Sequence, residues 1–345
     1  MINDPRCHID GDGRARRPGL ARGRAAFATP VARGFSLVEL MVAMTIGLLI
    51  IVGLTAMYVS SSSGKKTDAR FAEFQTNGRY AIDTIRRDIQ QAGFAGFSVF
   101  PADPTAIKNI KIEDNCAGDA MAIKFDRPIF GYNDATGLPS NCLSGYQANS
   151  DVIVLRRAGP ECVGTAPCSS SLSSSKLYMR SGFGSSALIK GDQAGSIPVG
   201  PVPPEDYELH TDIYYVRDCA SGCTQGTPGV PTLYRKSLGS GPAMTDTAIA
   251  ANIEDLQLQY GVLGADGKTT YYNAVTGAVP DWTAVTSIRV WLLARSSDKD
   301  PGFTGTQTFE YADRKARTFK DGYQRQVFQQ LIQVRESKDG VVKSL

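Results

Sequence analysis

The sequence predicts an α+β protein in which one long N-terminal helix is followed by a mainly antiparallel β domain. An apolar run over residues 35–59 leads, without an intervening proline, into a stretch of helical periodicity that ends near residue 95. From residue 98 the chain changes to short β-type runs separated by Gly, Ser, Pro and Asn. We therefore expect a helix with a membrane half and an amphipathic half, packed on a β-sheet globular domain.

The apolar run is long enough to cross a membrane. As a helix it would extend about 37 Å, whereas the hydrocarbon core of a bilayer is about 30 Å thick. Residues 1–34 contain seven Arg and three Asp, so removing this +4 segment from a chain of +3 leaves about −1. Positive charge ahead of the span predicts a cytoplasmic N-terminus and a C-terminal domain on the opposite side of the membrane.

The second half of the predicted helix has one apolar stripe, which we interpret as a docking face for the chain's own globular domain. The stripe consists of Phe71, Phe74, Gly78, Ile82, Ile85, Ile89 and Ala92. The opposite, solvated face is predicted to carry Arg70, Glu73, Arg79, Asp83, Arg86, Arg87 and Asp88.

Glu39 is the only charged residue in the apolar run. A charge near a bilayer centre costs about 2.5–3.5 kcal/mol, so this carboxylate needs a cationic partner. Cleavage after Gly34 would supply one, because the freed α-amine of Phe35 lies four residues before Glu39, on the same helix face. The two groups could pair within one chain or between neighbouring chains. The alternative is a plain signal anchor in which the glutamate is incidental.

Residues 34–42 resemble the processing site of a type IV prepilin. The resemblance implies that a prepilin peptidase cuts after Gly34 and methylates the amine of Phe35, and that Glu39 supports docking into the growing filament. A secretory signal peptide would instead be cut after its apolar core. The implied organisation is a removed leader (1–34), an N-terminal helix (35–97) whose first part (35–59) is the transmembrane and filament-core segment, and a periplasmic domain (98–345).

Further blocks resemble PilW-type minor pilins. They are residues 77–82, 87–89, 92–94, 233–235, 253–261, 285–290 and 321–328. Unlike a major pilin, the chain has no proline in the membrane half of the helix, and its last cysteine, Cys223, is far from the C-terminus. The resemblance implies a low-copy subunit that primes pilus assembly in a tip complex.

The same resemblance implies partners and locations. The expected partners are the prepilin peptidase, other minor pilins, the major pilin, inner-membrane lipid before assembly, and a candidate tip adhesin. The protein would reside in the bacterial inner membrane and then in the pilus at the cell surface. A type II secretion pseudopilin shares the same N-terminal chemistry and is the nearest alternative, which gene neighbourhood would distinguish.

The distal domain contains eight candidate strands. They are residues 120–125, 151–156, 176–180, 212–216, 232–235, 255–261, 287–294 and 326–334. Asp266-Gly267 between two β-type segments predicts a hairpin turn. The Pro/Gly-rich residues 195–204 are the expected join if the domain has two lobes.

Six cysteines remain after the predicted cleavage, an even number that suits an oxidising periplasm. Sequence proximity suggests the pairs Cys162–Cys168, Cys219–Cys223 and Cys116–Cys142, one pairing among the fifteen that six cysteines allow. A zinc site is disfavoured, because the mature chain has a single histidine, His210, and no Cys-x-x-Cys pair.

No catalytic motif is present, so we expect no enzyme activity, no cofactor and no metal. A lone His210 beside Glu208 and Asp212 is read as a surface residue, and the acidic pairs Glu113/Asp114 and Glu205/Asp206 as solvated. A membrane-anchored periplasmic enzyme is a weaker alternative, as is a DNA-binding pilus component. The second alternative would use the cations Arg314, Lys315, Arg317, Lys320 and Arg325, near Tyr311, Phe319 and Tyr323. A nearly neutral mature chain disfavours nucleic-acid binding.

Overall fold

The computed structural model describes residues 34–96, 127–135, 138, 143–164, 168, 171–182, 185–193, 205–218, 229–241, 243–275 and 277–334. The chain forms two compact units, Met1–Ser60 and Ser61–Leu345. The predicted strand over 120–125 and the acidic pair Glu113/Asp114 lie outside the described residues.

One α-helix, α1 (Leu37–Gln91), passes without interruption through the serine run at residues 60–63. The continuity follows from the absence of proline and from the helical spacing that resumes after the serines. The helix ends just before Gly93, which has φ 86°, a conformation that favours glycine. The Gly93 amide then donates to the carbonyl of Arg156, 2.9 Å away. The helix therefore stops a few residues before the expected end near residue 95.

Thirteen strands follow in the described part of the chain. They are β1 (Ile129–Tyr132), β2 (Val152–Val163), β3 (Leu177–Gly182), β4 (Ser185–Lys190), β5 (Glu205–Arg217), β6 (Thr232–Leu238), β7 (Met244–Ala251), β8 (Ile253–Leu263), β9 (Thr269–Tyr272), β10 (Val285–Arg295), β11 (Gln307–Tyr311), β12 (Arg314–Phe319) and β13 (Arg325–Gln333). Seven of the eight candidate strands are thus present.

The strands form three antiparallel sheets. The seven-stranded sheet has the path β1-β2-β5-β3-β4, with β6 also paired to β5 and β7 paired to β6. The four-stranded sheet has the order β13-β10-β8-β9, and β11 and β12 form a separate hairpin. The fold class is therefore the predicted one, a long apolar N-terminal helix followed by an antiparallel-sheet domain. The hairpin predicted at Asp266-Gly267 joins β8 to β9, with Gly267 at φ 77°.

The expected join at residues 195–204 lies outside the described residues. The strands on either side of that stretch, β4 and β5, both pair with β3 in one sheet. The change of sheet comes instead between β7 and β8, at Asn252, whose φ of 63° turns the chain. A Pro/Gly-rich composition signals a loop, but it does not show whether the loop leaves the sheet.

The second half of α1 contributes to the largest hydrophobic core. Phe74, Ile82, Ile85, Ile89 and Ala92 are buried there among side chains of both large sheets. These residues belong to the predicted stripe, and their burial confirms it as the docking face. Phe71, at the start of the stripe, remains 44% exposed.

Gly78 lies where α1 packs closely against Phe328 of β13. A Cβ at Gly78 would lie 2.3 Å from the Phe328 ring, well inside the distance that real contacts allow. The glycine thus provides the space into which the ring packs.

Substitution of Gly78 by alanine is expected to destabilise the domain, although alanine is the better helix former. The helix gains about 1 kcal/mol from the change, whereas overpacking costs roughly 1–3 kcal/mol. In the Phe328→Ala background the same Gly78→Ala change should become stabilising, because the ring is gone. A double-mutant cycle of unfolding free energies tests this coupling, and additive effects would contradict it.

Candidate assembly segment and its anchoring to the β domain

The processing motif lies at the start of α1. Gly34, Phe35 and Ser36 precede the helix, and the carbonyl of Ser36 accepts the first helical hydrogen bond from Leu40, at 3.1 Å. Glu39 is exposed in the first turn, where the helix dipole favours a negative charge. Phe35, 81% exposed, precedes the first helical turn in this uncleaved chain. Within one chain, contact between this amine and Glu39 on the same helix face therefore requires the helix to extend to Phe35 after cleavage. Otherwise the Phe35 amine of a neighbouring chain must supply the contact.

The helical residues that follow form an uncovered apolar segment. Leu37–Ser62 is long and apolar enough to cross a membrane, and none of its most apolar window is buried. Leu37, Leu49, Met57 and many of their neighbours are more than half exposed. Such a surface needs lipid or other apolar helices around it.

The last turn of α1 is held by a buried charge cluster around Asp88. The hydroxyl of Tyr214 donates to the Asp88 carboxylate at 2.5 Å, and guanidinium nitrogens of Arg235 and Arg157 lie 3.5 and 3.9 Å from it. Asp88 is buried, so the prediction that it lies on the solvated helix face is wrong. An acid in the last turn opposes the helix dipole, and the two arginines offset this cost.

Asp212 extends the same cluster on β5. Its carboxylate accepts a hydrogen bond from the Ser237 hydroxyl at 2.5 Å and lies 3.7 Å from Arg235 Nε. Burial raises the pKa of the Asp212 carboxyl, and the neighbouring Asp88 adds to the effect. The cluster therefore joins one helix to strands β2, β5 and β6 through charge as well as apolar contact.

His210 lies beside this cluster and is half-buried, not the surface residue that was expected. Burial lowers the pKa of the imidazole, and the Arg157 charge lowers it further. The neighbouring Glu208 is ion-paired with Lys176, at 2.7 Å. The Glu208 carboxylate is therefore engaged by Lys176, and Asp212 by Ser237 and Arg235.

A second polar junction connects the seven-stranded sheet to β8. The carboxylate of Asp151, just before β2, accepts hydrogen bonds from the backbone amides of Asp134 (2.9 Å) and Leu258 (2.8 Å). Ser150 bonds to the backbone of Leu256 in the same place. Burial raises the pKa of the Asp151 carboxyl well above its ordinary value despite these donors.

A third junction holds the β11–β12 hairpin. The buried carboxylate of Asp255 on β8 accepts hydrogen bonds from Tyr311 Oη (2.8 Å) and Arg314 Nε (3.0 Å). The nearby Arg325 guanidinium is paired with Glu254 and with Asp321, at distances of 2.6 and 2.7 Å. The Cζ atom of Arg325 also lies 3.9 Å from the centroid of the Phe319 ring.

Part of the basic cluster named above as a candidate nucleic-acid site takes part in these junctions. Arg314 and Arg325 neutralise carboxylates of the same domain. Arg317 lies 3.9 Å from Asp255. The two members of the acidic pair Glu205/Asp206 have different partners. Tyr207 donates a hydrogen bond to Glu205, and Arg180 pairs with Asp206.

The predicted disulfide Cys162–Cys168 is formed at the end of β2, with Cα atoms 5.0 Å apart. Cys116, Cys142, Cys219 and Cys223 lie outside the described residues. Among the residues that the structure describes, no group of three or more His, Cys, Asp or Glu side chains could hold a metal ion.

Two regions of the chain match known protein families. Residues 30–55 match the prokaryotic N-terminal methylation motif, and residues 213–336 match the type IV pilus-assembly protein W family, PilW. Together these matches support a PilW-type minor pilin. Pilin-like families are structural rather than catalytic. The N-terminal match fits a single-pass inner-membrane anchor. The motif also implies processing by prepilin peptidase and assembly with other pilins.

No curated protein matches the chain. The chain is similar to the type IV-like pilin TTHA1219 from Thermus thermophilus, at 15% sequence identity. That similarity covers 54% of this chain and 77% of the other, with a TM-score of 0.25, which is too low to support an argument.

Proposed function

We propose that this chain is a non-enzymatic minor pilin that is cleaved after Gly34 and then takes part in type IV pilus assembly. The supporting observation is that Glu39, the single carboxylate at the start of an uncovered apolar helix, lies four residues after Phe35. Cleavage after Gly34 would free the amine of Phe35. In the membrane, the unpaired carboxylate is costly. Pairing with the amine of Phe35 on a neighbouring chain removes this cost when the subunit docks.

The apolar segment has two successive environments in this proposal. Inner-membrane lipid surrounds residues 35–59 before assembly, and the corresponding helices of other pilins surround them afterwards. The domain from residue 98 onward stands in the periplasm. We further propose that the protein joins other minor pilins in a complex that primes assembly of the major pilin and remains at the tip.

Replacement of Glu39 by alanine is expected to leave cleavage and membrane insertion intact but to reduce incorporation into filaments. The isosteric Glu39→Gln should behave similarly, because the charge rather than the shape is needed. Thr45→Val is a matched control, since this exposed hydroxyl already donates within the helix, to Val42 at 2.9 Å. The measurement is the ratio of filament-bound to membrane-bound protein. Normal incorporation of both Glu39 variants would refute the pairing.

A further inference from the structure

The four-stranded sheet has an outer face that the β11–β12 hairpin covers only in part. Three residues of β10 belong to the main core and mark the inner face: Ile288, Val290 and Leu292. Side chains alternate along a strand, so Arg289, Trp291 and Leu293 lie on the outer face. Trp291 and Leu293 pack against Tyr311 of the hairpin, and Arg289 lies beyond that contact. We call the part of the outer face beyond the hairpin the Arg289 face. It consists of Gln259, Gly261, Tyr271, Asn273, Ser287, Arg289, Gln329, Leu331 and Gln333.

The Arg289 guanidinium is held flat on a tyrosine ring. Its Cζ atom lies 3.6 Å from the centroid of the Tyr271 ring on β9, a close cation–π contact. The Tyr271 hydroxyl is 3.1 Å from Ser287 Oγ on β10, so the ring is fixed at both ends. Gly261 on the intervening strand makes room for the ring, because a Cβ there would lie 2.9 Å from it. The guanidinium is therefore positioned before any ligand arrives.

Arg289 has no carboxylate partner and donates no hydrogen bond among the residues that the structure describes. Six other arginines on the strands each lie 2.6–3.9 Å from a carboxylate: Arg157, Arg180, Arg217, Arg235, Arg295 and Arg325. Two of them, Arg217 and Arg295, also stack on tyrosine rings, at 4.2 and 4.3 Å. Both are nevertheless paired with acids, at 3.3 Å in each case. Stacking thus does not replace a carboxylate elsewhere in this domain, and the donors of Arg289 remain open.

The neighbours of Arg289 complement a peptide that carries an acid. In the register of the sheet, Arg289 lies between Leu331 on β13 and Gln259 on β8. Leu331 is 57% exposed and offers an apolar contact. Gln259 donates to the side chain of Asn273 at 3.1 Å, so a pair of amides lies on the other side of the guanidinium. The planar fork of an arginine binds a carboxylate through two parallel hydrogen bonds. An amide pair can bond to a peptide group, and the leucine can contact an apolar side chain next to the acid.

Charge and composition disfavour other ligands for the Arg289 face. Its nine residues include one cation and no acid. A nucleic acid would need several phosphate contacts, which one arginine does not supply. Tyr271 is the only aromatic residue of the face, and the guanidinium already stacks on it, so no free ring is left for a sugar. A two-fold contact of the face with itself would bring two Arg289 cations together without an acid between them. A carboxylate from a different protein is the complement that remains.

We propose that the Arg289 face binds a segment of a different protein through an aspartate or glutamate side chain. Arg289 holds the carboxylate, Leu331 contacts an apolar residue beside it, and Gln259 with Asn273 bonds to the peptide group. Tyr271 acts as a positioning residue that keeps the guanidinium flat. The site goes beyond the proposed function, because it uses neither Glu39 nor the cleavage after Gly34.

Titration of the full-length chain in detergent micelles with a defined peptide tests the site. The probe is a capped, fluorescently labelled Ser-Leu-Glu-Leu-Ser peptide, and a second peptide has glutamine in place of the glutamate. Fluorescence anisotropy should show about tenfold weaker binding of the glutamate peptide to Arg289→Gln, because the charged hydrogen bonds are lost. Arg289→Lys keeps the charge but not the planar fork and should also bind more weakly, so the test does not depend on one variant folding. Lys268→Gln, which removes an exposed charge just before β9, is the matched control and should bind normally. Equal binding of both peptides, or undiminished binding by both Arg289 variants, would overturn the proposal.

Photocrosslinking in cells identifies the partner. A photoreactive residue in place of Leu331 should form an adduct with a different protein, at a peptide that contains an acid, and Arg289→Gln should abolish it. Exchange of the charges, with Arg289→Glu in this chain and arginine in place of the partner's acid, should restore the adduct. An adduct that persists in Arg289→Gln, or that forms only with a second copy or with residues 335–345, would contradict the proposal. Peptide binding requires neither processing nor filaments, so failure of cleavage or incorporation would refute the proposed function and not this site.

Discussion

Replacement of Arg325 by methionine is expected to lower the free energy of unfolding by about 3 kcal/mol, because the buried Glu254 loses its closest cation and keeps only Arg295, 3.3 Å away. The Arg325 side chain is 2% exposed and donates to Glu254 at 2.6 and 3.0 Å and to Asp321 at 2.7 Å through two nitrogens. Glu254 is itself only 12% exposed. Methionine would keep the apolar contact with Phe319 but supply no donor.

The matched control is Arg317→Met on the adjacent hairpin. Arg317 is 40% exposed and 3.9 Å from Asp255, so its loss should cost at most about 1 kcal/mol. Chemical denaturation of the full-length chain in detergent micelles, followed by fluorescence of Trp282 and Trp291, measures both variants. Equal losses of unfolding free energy for the two variants would show that the buried pairing of Arg325 stabilises the fold no more than the exposed pairing of Arg317.

The Arg325 pairing also predicts a pH dependence. Hydrogen bonds from Arg325 lower the pKa of Asp321 to about 2, below its ordinary value of 3.8. A carboxyl whose pKa is lowered on folding stabilises the folded state above its unfolded pKa and loses that contribution as pH falls through the folded pKa. Stability should therefore decline between about pH 4 and pH 2, and Arg325→Met should flatten that decline.

The second large effect is expected for Asp88→Ala, which should also cost about 3–5 kcal/mol. The change removes the shared partner of Arg157, Arg235 and Tyr214, and so loosens the last turn of α1 from the seven-stranded sheet. The helix-dipole gain from losing an acid in the last turn, about 0.3–1 kcal/mol, is too small to compensate.

Asp83→Ala on the same helix is the control. Asp83 is exposed and pairs with Arg86 at 3.1 Å, a surface interaction of about 0.2–1 kcal/mol at most. The free energies of unfolding of Asp88→Ala and Asp83→Ala, measured in micelles, show how much more the buried cluster contributes than the surface pair. A loss at Asp88 no larger than that at Asp83 would contradict the anchoring role.

The sequence was sufficient to predict α1 and the central strands, because their signals are local. Residues 152–155 and 290–293 are continuous apolar runs, which suit buried strands. Six strands have no counterpart among the candidates: β1, β4, β7, β9, β11 and β12. They lie at the ends of the large sheets or in the separate hairpin. Strands in such positions are short or partly exposed and need no continuous apolar run, which is the signal that marks the central strands.

The anchoring clusters could not be predicted from the sequence. Asp88 matches the charged face of the helix by periodicity, but its burial depends on Arg235, 147 residues away. The pairing of Asp255 with Tyr311 likewise spans 56 residues. The processing motif is different, because Gly34, Phe35 and Glu39 are contiguous. Cleavage and docking at this motif remain predictions.

The mass of the N-terminal peptide of this chain, isolated from purified filaments, tests the central claim most directly. The account predicts a peptide that begins at Phe35 and carries one added methyl group on its amine, with Glu39 unmodified. A chain found in filaments with any other N-terminus, or found only in membranes with residues 1–34 still attached, would contradict it.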